Sequence, residues 1–380
     1  LCLRSFKPAS ILTVPVTKFK RKTKIDSLNA NLLLKLSISS KQLRYSMAHS
    51  QQYCFASLNL LNFTAPPFSF YQPHETYNDT QWQSKTQFIT GLIEHINPTV
   101  IVFQEVFSVE VLEALCKDLG LIHFAVVDMP QPDSMYPTVL FNPVVAVAST
   151  HPLTSVEALE PCPELLEYLN NQQQFRFNRT PIKCKIELEG LGPIVCYAVH
   201  FKSQRVLSMA HMLGSSEQDD PLLTLLHETV GTMQSQISRS LEASIIYYDA
   251  LKTQREQNCA TLVMGDFNDQ LHSPALSFMT QTFPPQVSSN PPFDSVGLFD
   301  SYLFADNTVS LAEKPPTHFY KGKGNVLDYI LASKKFNPNQ IKPTVKTLTY
   351  HNYDGHLDAK RTEEDIRYSD HSAIAIKVSL

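Results

Sequence analysis

Polar side chains recur along this chain at the points where apolar runs end. The apolar runs are 100–103, 195–199, 262–264, 329–331 and 373–378. The polar residues next to them are Glu105, His200, Asp266, Asn268, Asp328, Asp370 and His371. Polar groups at the ends of buried strands are costly unless they converge on a ligand or on one another. A single such residue is typical of a cap or a turn. The whole set indicates one shared site.

The residue types in this set suit chemistry on a phosphate ester. Carboxylates with no cysteine nearby form a hard-oxygen site that favours Mg²⁺ or Mn²⁺. An Asp beside a His keeps the imidazole protonated, which gives a cation that can face a phosphate. In such a site the metal screens the phosphate charge, an Asp activates or orients water, and hydrogen-bond donors hold the transition-state oxygens.

The elements that must position these residues alternate between strands and helices. Apolar periodicity predicts helices over 81–96 and 109–119 and a long helical region over about 219–254. Strands are predicted at 53–61, 99–103, 122–127, 139–148, 182–188, 194–199, 261–264, 329–331 and 373–378. Many strands, few helices and a mixed order predict an α/β sandwich of two mixed sheets packed face to face, with helices outside.

Composition excludes several classes of protein. The chain has 380 residues, 43% of them hydrophobic, and a net charge of only −4, so whole-chain disorder is excluded. No run of eighteen apolar residues occurs, which predicts no membrane span. The sequence contains no Gly-x-x-x-x-Gly-Lys and only 11 glycines, so a P-loop is excluded and other glycine-loop nucleotide binders are disfavoured.

Charge divides the chain into two parts. Residues 1–46 hold ten basic residues and one acidic residue, which leaves a net charge of −13 for residues 47–380. An acidic body is a poor general binder of polyanions, so the substrate is expected to be small or gripped locally. We interpret 1–46 as a basic N-terminal extension, either an organelle transit peptide or translated upstream sequence. Residues 47–380 are predicted to form one catalytic domain with a helical or loop insertion at about 204–254.

The seven cysteines are odd in number, scattered, and include no Cys-x-x-Cys. This usage is typical of a reduced, cytoplasmic chain, with organelle targeting by 1–46 as the alternative. The sequence gives no sign of an obligate protein partner.

Six segments occur in an order that resembles the endonuclease/exonuclease/phosphatase superfamily, in particular some uncharacterised bacterial members. The segments are 57–59, 102–106, 199–203, 265–269, 327–331 and 369–372. Gly-Asp-Phe-Asn-Asp at 265–269 is the most specific of them, and Ser-Asp-His at 369–371 is the next. The resemblance implies a deoxyribonuclease I-like fold over about residues 53–380. It also implies a metal-dependent hydrolase of phosphate esters.

The resemblance also implies roles for individual residues. Glu105 would be the main metal ligand, with Asn59 and Asp370 on the metal or its bound water. Asp266 would orient or deprotonate the attacking water, and Asn268 would hydrogen-bond the transition state. The remaining roles concern the phosphate: His371, held by Asp328, would contact it, His200 would be a second contact, and Arg179 would clamp it.

The resemblance does not fix the substrate, because one such site serves DNA, RNA, inositol phosphates and sphingolipid headgroups. We expect a phosphodiesterase, with a nuclease as the commonest specific form. The alternatives are a phosphomonoesterase acting on a small phosphorylated molecule and a catalytically silent binding module. The histidines His318, His351 and His356 show no ligand spacing, so we expect them in loops or at the rim.

Overall fold

A computed structural model describes residues 51–161, 163–168, 175–206, 221–281, 296–357 and 368–380. Gln51–Leu380 forms a compact unit. The basic extension over 1–46 lies outside the described residues, so its separability from the catalytic domain stays a prediction.

Seventeen strands and four α-helices make up the described fold. The strands are β1 (Gln52–Phe63), β2 (Ser69–Phe70), β3 (Val100–Val106), β4 (His123–Ala125), β5 (Gln131–Pro132), β6 (Val139–Phe141), β7 (Val144–Ser149), β8 (Leu153–Ala158), β9 (Ile182–Leu188), β10 (Gly192–His200), β11 (Ala260–Asp266), β12 (Leu298–Asp300), β13 (His318–Tyr320), β14 (Lys323–Asn325), β15 (Asp328–Ser333), β16 (Thr347–Tyr353) and β17 (Ala373–Ser379). The helices are α1 (Asp79–Ile96), α2 (Val109–Asp118), α3 (Pro163–Tyr168) and α4 (Pro221–Gln257). No helix among these residues is both long and apolar enough to cross a membrane.

Most of the strands form two six-stranded sheets. The first has the order β16-β17-β1-β3-β7-β4 and the second has the order β12-β15-β11-β10-β9-β8. Both sheets are mixed, because β1 pairs parallel to β3 and β10 pairs parallel to β11, whereas the other neighbours are antiparallel. Strands β13 and β14 form a separate hairpin.

Alternation along the strands creates the layers. On β3, Val100 and Val102 enter a core shared with the second sheet, whereas Ile101 and Phe103 pack on the other face with residues of α1 and α2. A period of two is what a strand needs to fill two cores at once. The outer face of the second sheet is covered by α4, which contributes Ala243, Ile246 and Ala250 among other residues. The predicted sandwich of two mixed sheets between helices is confirmed.

Helix α4 changes character along its length. Its first half leaves apolar side chains exposed, as at Leu225 and Met233, whereas its second half is buried against the second sheet. The predicted insertion at about 204–254 therefore includes residues that belong to the core. Residues 207–220 of that span lie outside the described residues.

Candidate active site

The site forms where strands of both sheets end. Strand β11 runs between β10 and β15, and the register pairs Asp266 with His200 on one side and with Asp328 on the other. Three of the predicted residues are therefore neighbours across three adjacent strands. Strands β1 and β3 of the first sheet bring Asn59 and Glu105 to the same place, since Asn59 lies 3.1 Å from Asp266.

Gly265 allows the close approach that positions Asp266. Its φ is +150°, and a Cβ at this position would lie 1.9 Å from the carbonyl oxygen of Val199 on β10. No side chain fits at that distance, so only glycine permits β10 and β11 to pair here. This requirement explains why glycine precedes the aspartate in this segment.

Asp266 is 1% exposed and is surrounded by hydrogen-bond donors. Its Oδ1 accepts the N–H of Asn268 at 2.8 Å, and its Oδ2 accepts the side-chain amides of Asn59 at 3.1 Å and Asn268 at 3.2 Å. Burial raises the pKa of Asp266 to about 7; Asp328 and Glu105 add to the shift and His371 opposes it. A carboxyl group with such a pKa can exchange a proton near neutral pH, as a general base must.

His371 is held beside Asp266 as a cation. Its Nδ1 lies 2.8 Å from Oδ2 of Asp328, and its Nε2 lies 3.9 Å from Oδ2 of Asp266. Burial alone would lower the pKa of His371, but the Asp328 and Asp266 carboxylates raise it well above its usual value. The backbone N–H of His371 donates to Ser369, whose hydroxyl donates to the carbonyl of Asn59 and so ties this segment to β1.

His200, unlike His371, is neutral. Its Nε2 lies 3.5 Å from Oδ2 of Asp266, yet burial, together with the charges of Arg179, His371 and Lys202, lowers its pKa well below the usual value. The ring is therefore neutral at physiological pH. Its Nδ1 is buried and has no hydrogen-bond partner among the described residues. The two histidines next to Asp266 thus offer one charged and one neutral donor.

Glu105 projects from a strained part of the backbone. Its φ is +60°, and the β1–β3 register shifts between Asn59 and Phe63, which frees the Asn62 N–H to bond Oε2 of Glu105 at 2.9 Å. Oε1 of Glu105 accepts the Asn59 side-chain amide at 3.3 Å. A left-handed backbone at a residue other than glycine costs about 1–3 kcal/mol and is typical of functional sites.

Asn59 links the two carboxylates by its nitrogen. The same amide group donates to Glu105 and to Asp266, while its oxygen accepts the N–H of Leu61 at 3.0 Å. In this arrangement Asn59 orients both acids and turns its own oxygen away from them. Direct ligation of a metal by Asn59 would need a rotation of its amide, because the oxygen faces the Leu61 N–H and the nitrogen faces the two carboxylates.

Two further groups of side chains lie close enough to share a metal ion. Asp266, Asp328 and His371 form one, and His318, Asp370 and His371 form the other; within each, one potential ligand atom per residue lies within 4.8 Å of the others. Glu105 belongs to neither group. Both carboxylate oxygens of Glu105 are hard donors, and each accepts one hydrogen bond and keeps acceptor capacity beyond it. This donor set fits Mg²⁺ or Mn²⁺.

Arg179 and Asn268 complete the predicted set. Burial lowers the pKa of His200 and the charge of Arg179 lowers it further, whereas burial raises the pKa of Tyr71 and Arg179 opposes that rise, so Arg179 lies close to both side chains. Asn268 has a φ of +55°, and its side-chain amide bonds the carbonyl of Phe201 at 3.0 Å as well as Asp266. Both residues therefore lie beside the His200 end of the site.

His318 was expected in a loop or at the rim; it begins strand β13 and lies beside the predicted phosphate contact His371. Its ring centroid lies 4.8 Å from that of His371, and its Nε2 lies 3.8 Å from Oδ2 of Asp370. A backbone bridge between His318 and His371 brings the two rings together. The sequence holds no spacing signal for this contact, because 53 positions separate the two residues.

The fold and the site together define a class of proteins in which two stacked mixed sheets carry acidic and histidine residues at the ends of their strands. Residues 56–371 match the Endonuclease/Exonuclease/phosphatase family. This chain belongs to that family, whose members are phosphoester hydrolases. A search of curated protein sequences found no significant match.

Several solved structures are similar to this chain at low sequence identity. An endonuclease/exonuclease/phosphatase from Bacteroides vulgatus is 13% identical, with 87% of this chain and 99% of that chain covered and a TM-score of 0.50. One from Beutenbergia cavernae is 16% identical, with 87% and 72% covered and a TM-score of 0.47. The human Nocturnin catalytic domain with bound sulfate anion is 14% identical, with 87% and 97% covered and a TM-score of 0.48.

Changing Glu105 to Gln is expected to weaken Mg²⁺ and Mn²⁺ binding by at least about tenfold, because charged oxygen ligands determine affinity for these ions. Isothermal titration calorimetry of the full chain measures this. Glu110→Gln, at an exposed position on α2, is the matched control and should bind metal as the wild type does. Equal affinities for the two variants would remove Glu105 from the metal site.

Proposed function

We propose that this chain hydrolyses phosphate diesters with the help of Mg²⁺ or Mn²⁺, and that a nuclease is its specific form. One observation carries the proposal: the buried carboxyl of Asp266 lies between a charged and a neutral histidine, with Asn59 and Asn268 fixing both of its oxygens. This arrangement can take a proton from a water molecule and place hydrogen-bond donors around a phosphate.

The proposed role of each side chain follows from its charge and its contacts. Asp266 accepts the proton of the attacking water as the water oxygen forms its bond to phosphorus. The ester P–O bond opposite that oxygen breaks, and the leaving oxygen takes a proton from solvent. His371, kept protonated by Asp328, donates Nε2–H to a non-bridging phosphate oxygen. His200 supplies a neutral hydrogen bond. Arg179 and Asn268 contact the phosphate from the same side.

Glu105 is the main protein ligand of the cation in this proposal, with Asn59 and Asp370 near it or contacting its bound water. A bound Mg²⁺ or Mn²⁺ would supply Lewis-acid screening of the phosphate charge. The carboxylates themselves repel an anionic substrate, so a cation at this position also offsets the negative charge of the site.

The charge distribution limits how a nucleic acid could bind. Residues 47–380 carry a net charge of −13, so a long duplex would gain little from nonspecific phosphate neutralisation along the body. The proposed substrate is therefore a strand or an end gripped locally at the site.

The test uses the full chain with Mg²⁺ or Mn²⁺ against plasmid DNA, single-stranded RNA, bis-p-nitrophenyl phosphate and p-nitrophenyl phosphate. Cleavage of a polymer or of the diester is expected, and EDTA should abolish it. Activity restored by added Mg²⁺ or Mn²⁺ would tie the loss to the metal rather than to unfolding.

The other outcomes are distinct. Release from the monoester alone would contradict the diester proposal and indicate a phosphatase for a small phosphorylated molecule. Inactivity on all four substrates, with metal binding intact, would favour a silent binding module. Turnover that persists in EDTA would contradict the metal requirement.

A further inference from the structure

Helix α4 carries two buried charged side chains, Arg239 and Glu242, which are 4% and 1% exposed. They lie three positions apart and therefore on the same face of the helix. Burying a charged group is costly unless it is paired and hydrogen-bonded. The partners of these two residues show what the helix holds.

Glu242 holds two loops at once. Its Oε1 accepts both the backbone N–H and the side-chain amide of Asn178, each at 2.8 Å. Its Oε2 accepts the backbone N–H of Lys202 at 2.6 Å. Asn178 directly precedes Arg179, and Lys202 lies two residues after His200. One loop therefore contains a predicted phosphate contact, Arg179, and the other directly follows one, His200.

Arg239 contacts the loop that contains Lys202 and, in addition, the loop that contains Asp269. Its Nη1 donates to the carbonyl of Lys202 at 2.9 Å, while its Nε and Nη2 approach Oδ2 of Asp269 at 3.1 Å and 3.0 Å. Asp269 directly follows Asn268. The helix thus binds both the N–H and the C=O of Lys202, and it joins the loops after β10 and β11.

We propose that Glu242 and Arg239 are positioning residues, which hold Arg179, His200 and Asn268 in place around Asp266. The inference rests on the proposed function of those residues. Neither side chain needs to contact substrate, because each acts through backbone or side-chain groups next to a residue that does. Misplacing a catalytic group by about 1 Å can lower the rate by about 10²-fold, so loss of these hydrogen bonds should be visible in turnover.

The same helix provides a control for stability. Gln254 is also buried on α4, at 7% exposure, and its Oε1 accepts the backbone N–H of Gly297 at 3.0 Å. Gly297 adjoins strand β12, which lies at the edge of the second sheet. Gln254→Ala therefore removes a buried hydrogen bond from α4 that holds none of the three loops.

The experiment compares Glu242→Gln with Gln254→Ala in the full chain, well below both melting temperatures. A glutamine at position 242 places an NH₂ group against an N–H that donates to the carboxylate in the wild type, so one of these hydrogen bonds is lost. We expect kcat/KM for the diester to fall by about 10- to 100-fold in Glu242→Gln and to stay within about twofold of wild type in Gln254→Ala. A KM rise that disappears in an Arg179→Ala background would show that Glu242 acts through Arg179.

A second readout separates this inference from the proposed function. Affinity for inorganic phosphate, measured by calorimetry in the presence of Mg²⁺, should fall at least about fivefold in Glu242→Gln and remain near wild type in Gln254→Ala. Arg239→Lys serves where Glu242→Gln does not fold, since it keeps the charge facing Asp269 but cannot make all three contacts.

The outcomes distinguish an error in the proposed function from an error in the proposed positioning role. Inactivity of the wild type on every ester would contradict the proposed function, and phosphate affinity would then decide the positioning role. Equal effects of the α4 variants on kcat/KM and on phosphate affinity, after correction for the folded fraction, would overturn the inference.

Discussion

Asp266→Asn is expected to lower turnover by about 10³- to 10⁴-fold, the upper part of the range for loss of a general base. The substituted amide cannot accept the proton of the attacking water. The geometry around it should persist, because asparagine has nearly the same shape and keeps one oxygen for the Asn268 N–H.

Two effects on stability oppose each other in this variant. Burial raises the pKa of Asp266 to about 7, so the ionised side chain is costly to the fold and its removal is favourable. The new NH₂ group, however, meets the side-chain amides of Asn59 and Asn268, which are themselves donors. An unpaired buried donor costs about 1–3 kcal/mol, so we expect a melting temperature close to that of the wild type.

Asp249→Asn is the matched control for Asp266→Asn. Asp249 lies on α4 and accepts the Tyr197 hydroxyl at 2.6 Å while pairing with Lys183 at 2.8 Å. The Asp249→Asn substitution makes the same chemical change in a different hydrogen-bond network. Single-turnover kinetics and thermal melting of both variants measure the effect. Retained turnover in Asp266→Asn, or unfolding that accounts for its whole loss of activity, would refute Asp266 as the base.

The central strands, and the strand ends at which the candidate site residues lie, were predictable for one physical reason. Strands β3, β10 and β11 are buried on both faces, so each is a continuous apolar run, and the polar residue that ends the run is conspicuous. Since parallel neighbours end at the same edge of a sheet, such residues had to meet. That argument places His200 and Asp266 at one edge of the sheet, but the direct pairing of the two residues comes from the structure.

Strands with exposed or mixed side chains gave no comparable signal. Strand β8 is largely exposed, and in β16 the buried Leu348 and Tyr350 are separated and flanked by polar residues, so neither strand contains an apolar run. Both lie at edges of their sheets, where burial does not dictate composition. Neither strand was predicted from the sequence.

The supporting contacts depend on tertiary structure. Periodicity can place Glu242 on a face of a helix, but it cannot show that this face meets a backbone N–H at position 178 or 202. The left-handed backbone of Leu61 and Glu105 is likewise imposed by packing and register, against the preferences of those residues. Local propensity contains no information on either feature.

Asp328→Asn is expected to lower activity by about 10²-fold and to move the alkaline limb of its pH profile to lower pH. In the wild type, the Asp328 and Asp266 carboxylates raise the pKa of His371, so the active imidazolium persists above its usual range. Without the Asp328 charge that pKa falls, and the protonated form is lost at a lower pH. A profile of kcat against pH, with Asp249→Asn as control, measures the shift.

The effect of Asp328→Asn on protein stability should also decrease as the pH rises. A histidine whose pKa is raised by folding contributes stability that is fully present below its unfolded value of about 6.5 and is lost as pH rises through the folded value. The melting temperature of Asp328→Asn should therefore differ most from wild type at low pH and approach it in alkaline solution. A difference that grows with rising pH would contradict the charged state of His371.

A double-mutant cycle shows whether Asp328 acts through His371 or by its own contact with the substrate. His371→Ala should lower turnover by about 10²- to 10⁴-fold, since it removes the cationic donor. If Asp328 only sustains that cation, Asp328→Asn should have little further effect in the His371→Ala background. Full additivity would mean that the two side chains act separately, and the 2.8 Å contact between them would then have no part in the chemistry.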